Sequence, residues 1–128
     1  MMMIFLLVLY LLTPPESQAI CTPKDKAMWI DNKEFTLKYM MIAESSWGVK
    51  KKAIKGFEKE FQDMSEGCRE CHVNMIECGA QKCLAKCGMK PKSEDCHECI
   101  AVKCMDQYKM CLGVSFQTEL PIPPYLLA

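Results

Sequence analysis

Cysteine and histidine are the residues in this 128-residue chain whose type and spacing could do chemistry: there are ten cysteines and two histidines. Both histidines stand in short cysteine motifs, Cys-x-x-Cys-His over 68–72 and Cys-His-x-Cys over 96–99. The first motif matches the pattern for covalent haem attachment, and the two cysteine pairs together have the spacing of a zinc site. A Cys-x-x-Cys pair also serves thiol redox catalysis, although such enzymes place it in a strand–helix context that this sequence lacks.

The compartment decides between these uses of sulfur. Residues Ile4 to Leu12 form an apolar run too short to span a bilayer, and small residues stand at Ser17 and Ala19, the −3 and −1 positions of a cleavage site. We therefore predict that residues 1–19 are a signal peptide and that the protein is secreted and extracellular. An uncleaved anchor, which needs about twenty apolar residues, is the alternative. In an oxidising compartment an even number of cysteines is expected to pair fully, which gives five disulfides and no metal or haem.

The spacing of the cysteines predicts how they pair. In an antiparallel pair of helices, residues that face each other have numbers with a nearly constant sum, because both helices rise equally per residue. Four nested pairs share one such sum, about 182: Cys71–Cys111, Cys78–Cys104, Cys83–Cys99 and Cys87–Cys96. Cys21 and Cys68 remain and are predicted to pair with each other. The alternative is that one of them links two chains in a disulfide-bonded dimer.

This register predicts an all-α, small, disulfide-rich domain built on an antiparallel helical hairpin, about 66–87 and 94–112. Ser65 and Ser93 can cap the two helices, and Gly113 can close the second. The five-residue steps from Cys78 to Cys83 and from Cys99 to Cys104 rotate a helix by about 140°, so we expect a matched break on both sides. Gly79 would supply the freedom for the break in the first helix.

A helical stripe precedes the hairpin. Its apolar residues recur at steps of three, four and seven, which is typical of one amphipathic helix or a pair of them: Met40, Ala43, Trp47, Ile54, Phe57, Phe61 and Met64. Asp31 and Glu34 have the spacing of a capping box and predict a helix start at Asp31. The predicted organisation is a signal peptide over 1–19, an N-terminal segment over 20–34, a cysteine-stapled helical domain over 35–113 and a Pro-rich extended tail over 114–128.

The remaining composition argues against several classes of function. Sixteen basic and sixteen acidic residues cancel, so no global field favours nucleic acid. There is no Gly-x-Ser-x-Gly elbow and no phosphate-binding glycine loop, and His72 and His97 are expected to face solvent or to be locally hydrogen-bonded. We therefore expect no enzyme, no catalytic residues and no cofactor.

One segment has a strong local charge. Lys50, Lys51, Lys52 and Lys55 lie beside Trp47, and such a basic amphipathic helix can dock on an acidic receptor or lie on an anionic membrane. We interpret these five residues as candidates for partner binding. The competing interpretation is that the apolar residues pack against the hairpin while the lysines are simply solvated.

The cysteine-rich part, residues 68–113, resembles the disulfide-stapled helical hairpins of plant antimicrobial peptides, venom peptides and twin Cys-x(n)-Cys mitochondrial proteins. It differs from all of them in cysteine number and loop length, so no functional residue is carried over, and the signal peptide disfavours the mitochondrial group. The first hypothesis is a secreted effector, a toxin or pheromone-like ligand of an extracellular receptor or ion channel. The alternatives are a membrane-active, antimicrobial protein that uses helix 47–61, and a structural or reproductive secreted protein.

Overall fold

The computed structural model describes residues 20–30, 32–88, 90 and 93–114. The predicted signal peptide and all but the first residue of the predicted tail lie outside this part of the chain. The described residues fold as helices connected by short turns, with every helix too short or too polar to cross a membrane. In chain order the helices are α1 (Pro23–Ala27), α2 (Lys33–Ser46), α3 (Lys50–Glu60), α4 (Glu66–Lys82), α5 (Leu84–Cys87), α6 (Glu94–Lys103) and α7 (Met105–Leu112).

An antiparallel helical hairpin forms one half of the fold, with α4 and α5 in one arm and α6 and α7 in the other. Ser65 and Ser93 cap the arms by accepting hydrogen bonds from the backbone N–H groups three residues on. Disulfides join the arms at Cys71–Cys111, Cys78–Cys104, Cys83–Cys99 and Cys87–Cys96, and Cys21–Cys68 ties in the N-terminal segment. The four bridges between the arms are those that the constant-sum register gives, and Cys21–Cys68 is the pair predicted from the two cysteines that remain. All ten cysteines lie among the described residues, and none is free.

Each arm of the hairpin is broken, as the matched five-residue steps predict, and each break lies at the last residue of its step. The first arm leaves helical geometry at Cys83 (φ −120°, ψ 17°) and the second at Cys104 (φ −123°, ψ −27°). Gly79, the predicted break, continues α4 instead. Its missing side chain makes room for Trp47, since a Cβ on Gly79 would lie 3.3 Å from that indole ring. Gly79 therefore serves close packing and not backbone freedom.

The stripe before the hairpin forms two helices, α2 and α3, which pack on each other and, through α3, on α4. They separate at Gly48, whose φ of 79° lies in the left-handed region that glycine adopts without strain. The helix start predicted at Asp31 is one residue too early. Asn32 caps α2, its side-chain oxygen accepting from the N–H groups of Glu34 and Phe35.

The apolar stripe is confirmed at Ala43, Phe57, Phe61 and Met64, all of which are buried. The prediction of a buried side chain is wrong at Ile54, which lies on α3 and is 38 % exposed. The buried face of α2 is centred on Phe35, Tyr39 and Ile42, beside and not along the predicted stripe.

The N-terminal segment, 20–34, belongs to the same core. Thr22 and Asp25 form a capping box around α1, with Pro23 at the first helical position. The Asp25 carboxylate is 2 % exposed and accepts hydrogen bonds from the backbone N–H (2.9 Å) and hydroxyl (2.6 Å) of Ser65. One carboxylate thus joins the cap of α1 to the cap of α4. Trp29, which is 3 % exposed, belongs to the core and packs its ring against those of Phe35 and His72.

Candidate functional site

The exposed face of α3 carries a row of lysines. Ala53 and Phe57 point into the core, so the opposite side of the helix presents the residues found near 51, 55 and 59. We call the four exposed lysines on that side the lysine surface: Lys51, Lys52, Lys55 and Lys59. Among the described residues none of them forms an ion pair, and Glu58 is the one carboxylate between them in sequence.

Two of the five residues that the sequence singles out lie away from this surface. Lys50 turns toward α4, where its Nζ lies 3.2 Å from the Glu77 carboxylate. Trp47 is half-buried against Gly79, and its indole Nε1 is buried without a hydrogen-bond partner in the described part of the chain. Lys59 is not among the binding residues predicted from the sequence, although its position four residues after Lys55 places it on the same face of the helix.

The beginning of α3 is electrostatically unfavourable. Its N-cap is Val49, which makes no side-chain capping hydrogen bond, and its first turn contains no acidic residue but begins with Lys50, Lys51 and Lys52. The amino end of a helix carries a partial positive charge, so cations there are disfavoured and acidic residues are favoured. Four helices follow that rule, with a side-chain cap and an acidic residue in the first turn: Thr22 and Asp25, Asn32 and Glu34, Ser65 and Glu66, Ser93 and Glu94. The short helices α5 and α7, which continue directly from the preceding helix, also have no side-chain cap, but neither begins with a run of lysines.

A shallow groove of about 180 Å³ runs between α3 and α4 beside the lysine surface. Ile54 and Val73 form its apolar middle. Its walls carry charges of both signs, from Lys50, Glu58, Glu66, Arg69 and Glu70. The half-exposed Ile54 is therefore an apolar contact next to the lysines, at the place where the sequence predicts core.

His72, expected to face solvent or to be locally hydrogen-bonded, is fully buried, and its hydroxyl partner Tyr108 lies 36 residues away in the sequence. Its ring is enclosed by those of Trp29, Phe35, Tyr39, Phe57 and Tyr108, with centroid distances of 5.2 to 5.8 Å. Burial in this aromatic cage disfavours the charged imidazolium and lowers the pKa of His72 to about 3, although the negative charge of Asp25 acts in the opposite direction. His72 is therefore a neutral core residue at physiological pH.

In each of the two cysteine motifs, the two cysteines belong to different disulfides. Cys68 pairs with Cys21 and Cys71 with Cys111, so the two sulfurs of the haem-like motif are held in different disulfides. Potential ligand atoms of Cys21, Cys68 and His72 lie within 4.8 Å of one another, but metals bind thiolates and the first two are disulfide sulfurs. His97, in the second motif, is partly buried on α6.

Comparison with known proteins gives no relative: no family model, no curated protein and no solved structure matches this chain.

Proposed function

We propose that the protein is a secreted, disulfide-stabilised effector whose lysine surface binds an acidic patch on an extracellular protein, a receptor or ion channel. The observation that carries this proposal is the beginning of α3. Lysines there are placed where the helix itself is least compatible with positive charge. No other helix among the described residues begins with three lysines, and local conflicts of this kind are expected at functional sites.

An acidic partner would relieve the conflict. Carboxylates placed near Lys51 and Lys52 would meet the side-chain charges, the uncapped N–H groups and the positive end of the helix dipole together. The overall formal charge is zero, so the interaction would be local and short-ranged. Ile54 would add an apolar contact at the edge of the same surface.

The disulfides support the extracellular part of the proposal. Five bridges, with no free cysteine among the described residues, are typical of small domains in oxidising compartments. The apolar run at Ile4–Leu12, followed by small residues at Ser17 and Ala19, supports export by a cleaved signal peptide.

A membrane-active role ranks second. An interfacial helix inserts its apolar face into lipid, but Ala53 and Phe57, which form that face of α3, are buried against the protein. Membrane insertion would require α3 to leave the core.

Binding of the labelled, secreted protein to target-cell membranes tests the proposal. We expect saturable binding that weakens with salt, is abolished by treating the membranes with protease, and falls at least about tenfold in the triple variant K51E/K52E/K55E. The matched control is K24E/K33E/K86E, which reverses three other exposed lysines and should bind like the wild type. Equal binding of both triple variants would refute the lysine surface.

Vesicle leakage separates the membrane-active alternative. Vesicles of phosphatidylcholine alone, and of phosphatidylcholine with phosphatidylserine, should retain an entrapped dye in the presence of the protein. Leakage confined to the anionic vesicles and lost in K51E/K52E/K55E would favour membrane activity over receptor binding.

A further inference from the structure

We propose that cleavage of the Ala19–Ile20 bond turns the amino group of Ile20 into a charged cap for the carboxyl end of α7. This inference rests on the export step of the proposed function, not on the lysine surface. It gives the new amino terminus a structural role and identifies the cleavage position from the fold.

The contact is made at the end of α7, by the carbonyl of Cys111. Gly113, with φ of 73°, ends the helix, and the N–H groups of Gly113 and Val114 bond back to the carbonyls of Met110 and Lys109. This arrangement is a Schellman motif. The next carbonyl, that of Cys111, accepts instead from the backbone nitrogen of Ile20 at 2.9 Å. The first residue after the predicted cleavage site thus already contacts the end of α7.

The same end of α7 attracts a second positive group. The ammonium of Lys26, on α1, donates to the Gly113 carbonyl at 2.7 Å. Carbonyls at the end of a helix carry a partial negative charge, which favours cations there. A charged amino group at Ile20 would meet the same field.

Neighbouring contacts hold Ile20 in this position. Its side chain lies over Gly67 at the beginning of α4, so closely that a Cβ on that glycine would come within 2.6 Å of the Ile20 Cγ2 atom. The next residue, Cys21, is 5 % exposed and bonded to Cys68. A cut one residue later would remove the capping nitrogen of Ile20, and a cut one residue earlier would move the charge about 3.8 Å along the chain.

The cleavage is an ordinary hydrolysis. Water adds across the amide bond, so that Ala19 leaves with a carboxyl group and the nitrogen of Ile20 becomes a primary amine. An α-amino group has a pKa of about 7.7–8.0 and is protonated at neutral pH. The neutral N–H of Ile20 that donates to the Cys111 carbonyl is thereby replaced by an ammonium group. A hydrogen bond from a charged donor is stronger than one from a neutral donor.

The test compares two full-length chains expressed through the secretory pathway. One is the wild type; the other has a glycine inserted between Ala19 and Ile20, which keeps the amino-terminal charge but displaces it by one residue. The intact mass of each secreted protein establishes its first residue. Urea unfolding at pH 6.5 and pH 10, with the disulfides intact, then measures the effect of the displacement.

We expect the wild type to begin at Ile20, and the glycine insertion to raise the unfolding equilibrium constant about three- to tenfold at pH 6.5. The cap raises the folded-state pKa of the amine, so its stabilisation is present below the unfolded pKa and disappears as the pH rises through the folded pKa. At pH 10 the two proteins should therefore be equally stable within about twofold. The K24Q variant, which removes a positive charge from an exposed side chain of the same segment, should change the constant at pH 6.5 less than twofold.

Other charged groups on the elements that meet here are common to both proteins and cancel in the comparison: Asp25, Lys26, Glu66, Arg69, Glu70, Asp106 and Lys109. His72 stays neutral throughout this pH range because its pKa lies near 3. A secreted chain that begins elsewhere, equal stabilities at pH 6.5, or a difference that persists at pH 10 would each overturn the proposal. The receptor-binding comparison of the lysine variants is independent of all three results, so the two proposals can fail separately.

Discussion

The Nδ1 atom of His72 and the hydroxyl oxygen of Tyr108 lie 2.8 Å apart in the core, joining the two arms of the hairpin where both side chains are shielded from water. On the other side of the ring, Nε2 lies 3.8 Å from the Cys68 sulfur. That sulfur belongs to a disulfide and has no hydrogen to donate. The tautomer that satisfies both contacts therefore carries its proton on Nε2 and accepts the Tyr108 hydroxyl proton at Nδ1.

This pair makes stability depend on pH. The unfolded chain binds a proton at His72 near pH 6.5, whereas the folded protein does so only near pH 3, so the unfolded state holds more protons between these values. Stability therefore falls as the pH is lowered through this window. We expect a loss of about 2 kcal/mol between pH 7 and pH 5, measured by urea unfolding.

The variant H72F is the control for this pH effect. Phenylalanine fits the aromatic cage but does not titrate, so the change in stability between pH 7 and pH 5 should shrink by about 2 kcal/mol. H72F should also be less stable at pH 7, because the Tyr108 hydroxyl loses His72 as a hydrogen-bond partner and keeps Tyr39. A wild-type pH dependence that persists unchanged in H72F would rule out His72 as its source.

Asp25 is an ionisable side chain buried inside the fold, and we expect its replacement to reduce the stability of the protein. Burial alone would raise the pKa of its carboxyl, but the hydrogen bonds from Ser65 and Thr22 outweigh burial and lower the pKa below its ordinary value. The D25N variant places an amide where three donors converge, and we expect a loss of about 2–3 kcal/mol in the free energy of unfolding at pH 7. Asp63 is exposed, so D63N is the matched control and should change stability by less than about 0.5 kcal/mol.

The disulfides should differ in their contribution to stability. The four bridges of the hairpin are nested, so when Cys87–Cys96 is removed the loop remains closed by Cys83–Cys99. Cys21–Cys68 spans 47 residues that no other bridge encloses. In the chain-entropy model, C21A/C68A should cost about 4 kcal/mol and C87A/C96A, whose loop is short and already enclosed, about 2 kcal/mol.

Urea unfolding of the two double variants, with the remaining bridges intact, checks this order. Equal losses would show that contacts in the folded state, and not restriction of the unfolded chain, determine what each bridge contributes.

The lysine surface should reduce the stability of the free protein. Replacing Lys51 and Lys52 with glutamate removes cations from the beginning of α3 and supplies the acidic residues that it lacks. We expect K51E/K52E to raise the free energy of unfolding by about 0.5–1 kcal/mol at low salt, in urea, while weakening receptor binding. K59E, at the other end of the helix, should lower stability instead.

Salt should diminish both effects, because the charges are exposed. If K51E/K52E were destabilising, the unfavourable start of α3 would no longer support a binding role for these lysines.

Much of the hairpin could be predicted from cysteine positions, because equal rise per residue relates the numbers of facing residues in two antiparallel helices. The caps at Ser65 and Ser93 could likewise be predicted, since a cap depends on residues three positions apart. The break at Gly79 was wrong for a reason that local sequence does not contain: Trp47, more than thirty residues away, occupies the space that the glycine leaves.

The burial of His72 shows the same limit. A histidine between two cysteines resembles a surface or ligand residue in sequence, and its cage is assembled from α2, α3 and α7 together with Trp29. The lysine cluster could be recognised in the sequence, but the sequence does not show which of its lysines form ion pairs and which remain exposed. Only the packing of α3 on α4 turns Lys50 toward Glu77 and leaves Lys51, Lys52 and Lys55 exposed.

By itself, the order of residues determined the helical class, the register of the hairpin and the caps, because each depends on spacing along one or two regular helices. Tertiary structure decided which side chains are buried, where the arms break and which lysines remain open to a partner. These properties arise from contacts between segments distant in the chain, such as Asp25 with Ser65 and His72 with Tyr108, and no local periodicity encodes them.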